Sequence, residues 1–328
     1  MLRDAFAYVP PWCPGERPWA WGHPSPEATV PEGRPTLRER QNDPALLALL
    51  RAMSVSHARV RRLNALRMAA AMAMAALGLL ASFTGSLPWV SVLGALWALA
   101  YSAGASFWAD GELRRAALLQ EMFDVRLFLI PWNRVIAGDE VPAHEVSRLN
   151  RRFRGDDGPL RDYYEIPDLP RPFDVLGCQH QNLGWGARVR RRYATTVAGA
   201  TAGWAAMGLL VGVAADLGLT ELVLRWYLPS LGVLLLGIDT QRGQRMIADE
   251  RERVLRLVHE HLARTSGRAG PARTRDLLTL ARQVQDAVYR TRVAQSRVPN
   301  WFFSRFRARD RQDFLESMRE LAAALPGA

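Results

Sequence analysis

Residues 68–109 read MAAAMAMAALGLLASFTGSLPWVSVLGALWALAYSAGASFWA, 42 residues in succession without a charged side chain. As one helix rising 1.5 Å per residue this stretch would be about 63 Å long, twice the roughly 30 Å hydrocarbon core of a bilayer. Thr84-Gly85-Ser86-Leu87-Pro88 lies near its middle, and threonine, glycine, serine and proline favour a turn. Two membrane-spanning helices are expected, about 68–85 and 88–108, joined by a tight loop. A buried helical hairpin in a soluble domain accounts poorly for so long an uncharged run.

A second apolar region lies further along. Tyr193 to Ala215 carries no charge, Asp216 and Glu221 follow, and Leu222 to Ile238 holds only Arg225. Two more spans are expected, about 193–215 and 222–240. The fourth has the shortest uncharged core, Trp226 to Ile238. The expected fold is an all-α membrane protein with four transmembrane helices in two hairpins and helical cytoplasmic regions.

The chain has 328 residues and a net charge of +11, from 43 basic and 32 acidic side chains. Every basic residue is arginine, and GC-rich coding is sufficient reason for that. A pI near 10.7 suggests nucleic-acid binding until the charge is mapped. Residues 1–67 hold 10 arginines against 6 acids, and 110–192 hold 14 against 13. Residues 193–241 hold 1 against 3, and 242–328 hold 18 against 10. The arginine clusters flank the apolar stretches, while the hairpin tips carry almost none. The positive-inside rule then places both termini and the 110–192 segment in the cytoplasm. Contact with anionic lipid is expected for part of this charge. A nucleic-acid polymer is not an expected partner.

The organisation follows. Residues 1–42 form a proline- and tryptophan-rich arm, with eight prolines in the first 35 residues and no apolar core of a cleavable signal. A cytoplasmic helix over 43–67 starts at Asp43-Pro44, a cap followed by proline at the first helical position. The first hairpin covers 68–109, a cytoplasmic helical segment 110–192, the second hairpin 193–240, and a cytoplasmic C-terminal helical region 241–328. Within that region Gly267, Gly270 and Pro271 mark a linker and Pro299 a further break.

Catalytic signatures are missing. His259-Glu260-His261 lacks the i, i+4 histidine pair of a zinc-protease helix, and no phosphate-binding loop or serine elbow is present. Two cysteines 165 positions apart make neither a disulfide scaffold nor a redox pair. No enzyme activity, cofactor or metal is expected. Gly199-x-x-x-Gly203 and Gly208-x-x-x-Gly212 in the third apolar stretch allow close helix approach, within one protomer or between copies. The first three stretches contain no ionisable residue, which argues against an active transporter. A pore would need several protomers, lined by groups such as Ser82, Ser91, Ser102, Ser106, Thr195 and Thr201.

Several local motifs are family-like: Gln41-Asn42, Gln120-Glu121-Met122-Phe123-Asp124, Pro131-Trp132-Asn133, Cys178-Gln179-His180-Gln181-Asn182, and Gln285-Asp286-Ala287-Val288-Tyr289-Arg290-Thr291-Arg292 before Val298-Pro299-Asn300-Trp301-Phe302. In this order, around four spans, they resemble the SMODS-associated four-transmembrane family of pore-forming effectors, from about Gln41 to Leu325. The resemblance departs at Gly186, where an acidic residue is expected. It implies a role in bacterial anti-phage defence at the inner membrane. A cognate cyclase would make a cyclic oligonucleotide, and the effector would bind it, oligomerise and permeabilise the membrane, causing growth arrest or death. The family has no catalytic residues to carry over.

A cyclic oligonucleotide is polyanionic with stacking faces, so its site needs arginines, planar side chains and amides. The motifs supply Trp132, Asn133, Gln179, Asn182, Gln285, Tyr289, Arg290 and Arg292 as candidate ligand contacts. The same groups would equally suit a buried polar network that fixes helix packing. A constitutive membrane scaffold, recruiting a partner through the basic C-terminal region, is the alternative function.

Overall fold

The computed structural model describes residues 35–84, 88–102, 107–265, 270–294 and 298–323. Residues 1–34 of the N-terminal arm and the expected turn at 85–87 lie outside the described residues. Eleven α-helices run in the order α1 (Leu37–Arg40), α2 (Pro44–Thr84), α3 (Pro88–Ser102), α4 (Phe107–Phe128), α5 (Arg134–Ala137), α6 (Ala143–Asn150), α7 (Phe173–Ala214), α8 (Leu219–Leu222), α9 (Leu228–Thr265), α10 (Pro271–Ala294) and α11 (Asn300–Ala323). A 3-10 turn at Gly158–Leu160 and a π-helical turn at Val223–Tyr227 complete the described elements, which include no strand.

The start of α2 is set as its sequence dictates. Asp43 Oδ1 accepts from Ala45 N at 2.7 Å, and Pro44 fills the position whose N–H would have no partner. Leu46, Leu47, Leu49, Leu50 and Met53 are buried against Leu119, Met122, Phe123, Leu127 and Phe128 of α4, with Val175, Leu183, Leu277 and Val284 in the same core. This apolar centre joins α2, α4, α7 and α10. Truncating a core leucine such as Leu50, fully buried, would cost about 2–5 kcal/mol.

Further along, α2 turns inside out. Leu66, Met72, Leu80 and Phe83 are exposed, as are Trp89, Val92, Leu96 and Leu99 on α3 and Met207, Leu209, Leu210 and Val213 on α7. Apolar surface on this scale suits lipid, not water. Three helical stretches, Pro44–Leu80, Phe173–Ala214 and Leu219–Arg264, are long and apolar enough to cross a membrane.

α2, α7 and α9 each run through the change from charged to apolar side chains, at 67/68, 192/193 and 240/241, without a break. In the second apolar stretch, expected over 88–108, residues 88–102 form α3 and α4 begins at Phe107, with 103–106 outside the described residues.

The apolar helices close around α9, whose partners are α7, α2 and α3. Glycines make the approach possible. A Cβ on Gly94 would lie 2.6 Å from Pro229 Cα, and one on Gly208 would overlap the Trp226 indole. Trp226 stacks on Trp204 at 4.9 Å, and Trp204 Nε1 donates to Ser230 Oγ at 3.0 Å. The Gly208 and Gly212 pair is therefore used within the protomer, on Trp226 and Leu222, whereas Gly199 and Gly203 have nothing within 4 Å. Two of the hydroxyls expected to line a pore back-bond instead: Ser82 Oγ to Gly78 O at 3.0 Å and Thr195 Oγ1 to Arg191 O at 3.1 Å. Ser91 Oγ donates to Leu224 O, and Thr201 packs on Gly237. The side chains of Ser102 and Ser106 lie outside the described residues. Arg67 lies 4.9 Å over the Tyr101 ring, and Tyr101 OH donates to Asp239 Oδ2 at 3.2 Å, so three helices meet at the edge of the apolar zone.

Candidate functional site

Four of the separate sequence motifs, around Gln41, Glu121, Gln179 and Gln285, meet in one place. α4 presents Glu121 and Asp124, α7 presents Gln179 and Asn182, and α10 presents Gln285 and Arg292. Gln285 Nε2 donates to Glu121 Oε2 at 2.7 Å and to Asp124 Oδ2 at 2.9 Å. Gln179 Nε2 donates to Ala281 O at 2.7 Å and to Gln285 Oε1 at 3.2 Å. Arg292 Nη1 is 2.7 Å from Asp124 Oδ2, and Arg282 Nη2 is 2.8 Å from Glu121 Oε1. Tyr164 OH donates to Asp124 Oδ1 at 2.8 Å, and Gln41 clasps the Tyr164 backbone, accepting from its N–H at 2.9 Å. The motif spacing accounts for this convergence: 285, 288 and 292 share one face of α10.

The centre is closed. Gln179, Gln285 and Arg292 are 2 %, 1 % and 7 % exposed, so they face one another and the packed helices. Gln179 Oε1 and Arg292 Nη2 have no hydrogen-bond partner among the described residues. Burial pushes the Glu121 carboxyl up, against the pull of Arg282 and Arg292. Burial also disfavours charge on Arg292, but Asp124, Tyr164, Tyr163 and Glu121 outweigh it and hold the guanidinium more firmly charged than usual. Burial first, and then Asp124, drives the Tyr164 phenol well above its ordinary range.

The remaining candidates sit at the margin. Asn133 caps α5 through Val135 N at 3.1 Å and donates to Asp286 Oδ2 at 2.9 Å. Trp132 Nε1 donates to Gly138 O at 2.8 Å. Tyr289 is buried with Ala117 and Ala137. Arg290 is exposed and points away from the network, about 140° around the helix from Gln285. At Gly186, Arg251 occupies the space a side chain would need. Its Nη1 donates to Asn182 O at 2.9 Å and its Nε to Thr291 Oγ1 at 3.1 Å, so α9 is tied to α7 and α10.

An open groove of about 420 Å³ adjoins the network, lined by Arg38, Asp162, Tyr164, Glu165, Ile166, Pro167, Arg311, Leu315 and Arg319. Glu165 pairs with Arg311 and lies 3.8 Å from Arg307. Arg38 and Arg319 are exposed. Sequence reasoning missed this groove, because α1, the 162–167 loop and α11 are far apart in the chain. Among the described residues no group of three or more His, Cys, Asp or Glu side chains could hold a metal ion.

The SMODS-associating 4TM effector domain profile matches residues 35–321, which takes in the apolar helices and the whole buried network. The chain belongs to this family. A relative in Bacillus cereus strain VD146, named a "probable CBASS effector molecule", is 25 % identical over 214 residues, covering 62 % of this chain and 71 % of the relative. No solved structure matches the chain. In this 4TM effector the open arginine groove lies beside the buried network.

Proposed function

We propose that this 4TM effector acts in bacterial anti-phage defence, opening the inner membrane when a cyclic oligonucleotide from a cognate cyclase binds its cytoplasmic helices. The chain then crosses the bilayer four times, with α3 as the second span and both termini cytoplasmic. One observation carries it: α7 and α9 run unbroken from the buried charge network into the apolar bundle. A change in how α4, α7, α9 and α10 meet at that network therefore reaches the membrane through rigid rods.

The ligand contacts belong in the groove, where Arg38, Arg311 and Arg319 offer cationic planes beside Tyr164. Gln179, Asn182, Gln285 and Arg292 act behind them as positioning groups, linked to the groove by the Tyr164–Asp124 hydrogen bond. Trp132, Asn133 and Tyr289 support the α4–α10 contact, and Arg290 contributes surface charge. The ligand drives opening by binding the open or assembled state more tightly. Assembly uses the unoccupied Gly199-x-x-x-Gly203 face, because a conducting path needs several copies.

Dye release from liposomes carrying the purified protein, with a panel of cyclic oligonucleotides, tests this. Leakage is expected with one ligand and is lost in Arg38→Glu/Arg319→Glu. Absence of leakage at every ligand and protein density would overturn the pore reading and leave the scaffold alternative.

A further inference from the structure

The N-terminal half of α11 has two unlike faces. Phe302 is buried, packs edge-on against Tyr193 at 5.2 Å, and shares a cluster with Val189 and Val298. Asp310, one tenth exposed or less, receives Arg192 Nη1 at 2.9 Å and lies 3.8 Å from Arg188 Nε. These contacts fix α11 antiparallel to α7, with its N-terminal end at the level of Tyr193, where the long uncharged stretch of α7 begins. On the outward face Trp301 is 68 % exposed, and Ser304 and Arg305 are exposed beside it. Arg305 has no carboxylate partner among the described residues.

We propose that this face is a lipid-docking surface: Trp301 enters the headgroup layer of the cytoplasmic leaflet and Arg305 binds anionic headgroup phosphate. Three observations carry the assignment. Phe302 seats the N-terminal end of α11 at Tyr193, one residue past the Arg190-Arg191-Arg192 cluster, where the uncharged stretch of α7 begins. Tryptophan is the side chain best matched to the membrane–water boundary, with an apolar body and one N–H donor. The charge next to it is cationic, one helical turn away on the same side, as the negative surface of the cytoplasmic leaflet would attract. α11 also supplies Arg311, Leu315 and Arg319 to the groove, so the helix that touches lipid is the helix that forms one groove wall.

The proposal rests on α7 crossing the bilayer, and the test separates the two. An environment-sensitive dye is placed on Ser304→Cys, Leu210→Cys or Val135→Cys in a Cys13→Ser background, the remaining Cys178 being fully buried. The full chain is inserted in nanodiscs of phosphatidylcholine with phosphatidylglycerol. Lipids spin-labelled at the headgroup or deep in the acyl chain serve as quenchers. Loss of most fluorescence at 304 with the headgroup label is expected, with Leu210 quenched by the deep label and Val135 by neither. Trp301→Asp should relieve the quenching at 304, and Arg305→Glu should relieve it only where phosphatidylglycerol is present. A 304 signal like that of Val135 overturns the docking surface while α7 still spans. A 304 probe shielded from aqueous iodide yet untouched by both lipid labels puts protein there and overturns it as well. A Leu210 probe insensitive to the deep label removes the span and the proposal together.

Discussion

The Arg251 guanidinium lies over Gly186, in the volume that any side chain at that position would fill. From there it bonds Asn182 and Thr291 and so ties α9 to α7 and α10. Gly186→Ala is expected to push the guanidinium aside and lose both contacts, at a cost of about 1–3 kcal/mol. Thermal unfolding of the detergent-purified protein checks this. Adding Arg251→Met to Gly186→Ala should cost less than the two single changes summed, since both remove the same bonds.

Asp124 is fully buried and held by Arg292, Gln285 and Tyr164. Arg292→Ala would leave the buried Asp124 carboxylate without a cation, while Glu121 keeps Arg282, and is expected to destabilise by roughly 3–5 kcal/mol. Arg292→Gln combined with Asp124→Asn removes both charges and should recover part of that loss, read as a higher melting temperature than Arg292→Ala alone.

Tyr164→Phe deletes the hydrogen bond to Asp124 and a longer one from Asn182 Nδ2 at 3.4 Å, with almost no change of volume. A stability loss of about 1–2 kcal/mol is expected, with the fold retained. Ligand-triggered dye release should fall more than this small cost accounts for, because the hydroxyl is the link from groove to network. Leakage and unfolding measured on the same preparation distinguish coupling from stability.

Gly208 and Gly203 should respond oppositely to enlargement. Gly208→Val would collide with the Trp226 indole and is expected to cost at least about 1–3 kcal/mol through overpacking. A Cβ at Gly203 meets nothing within 4 Å in the protomer, so Gly203→Ala should leave melting unchanged while chemical cross-linking between copies declines.

His180 supplies a pH dependence. Burial, helped by His259 and Arg188, lowers its pKa from 6.5 to about 4. Its ring lies 5.3 Å from His259 and 5.9 Å from Phe314. The unfolded chain binds the proton more readily, so stability should fall as pH drops from about 6.5 and level off below about 4, by roughly 3 kcal/mol at most. In His180→Asn that part of the slope should vanish, as measured by denaturant unfolding between pH 4 and 7.

The apolar helices were legible because charge is excluded from long stretches, and that pattern survives without tertiary knowledge. The convergence of Glu121, Gln179, Gln285 and Arg292 was half legible. Their residue types marked a polar cluster, but ligand pocket and buried network ask for the same chemistry. Helical periodicity could have set Arg290 apart, since it falls off the face shared by 285, 288 and 292. The groove was not legible, because three segments more than 100 residues apart supply Arg38, Tyr164 and Arg319. The run of α2 from charged into apolar surroundings was legible, since Leu46, Leu49, Leu50, Met53, Val60 and Leu63 recur at helical spacing up to the first apolar stretch.

Continuity has a mechanical consequence. From Gln179 to Ala214, α7 is a shaft about 52 Å long with no hinge proline inside it. Pivoting at the Gln179 end by about 5° would carry its far tip through about 4–5 Å, close to the pitch of one helical turn. Small angular errors at the charge network are thus magnified rather than absorbed. The paired, desolvated groups around Asp124 serve as the bearing that keeps the lever still.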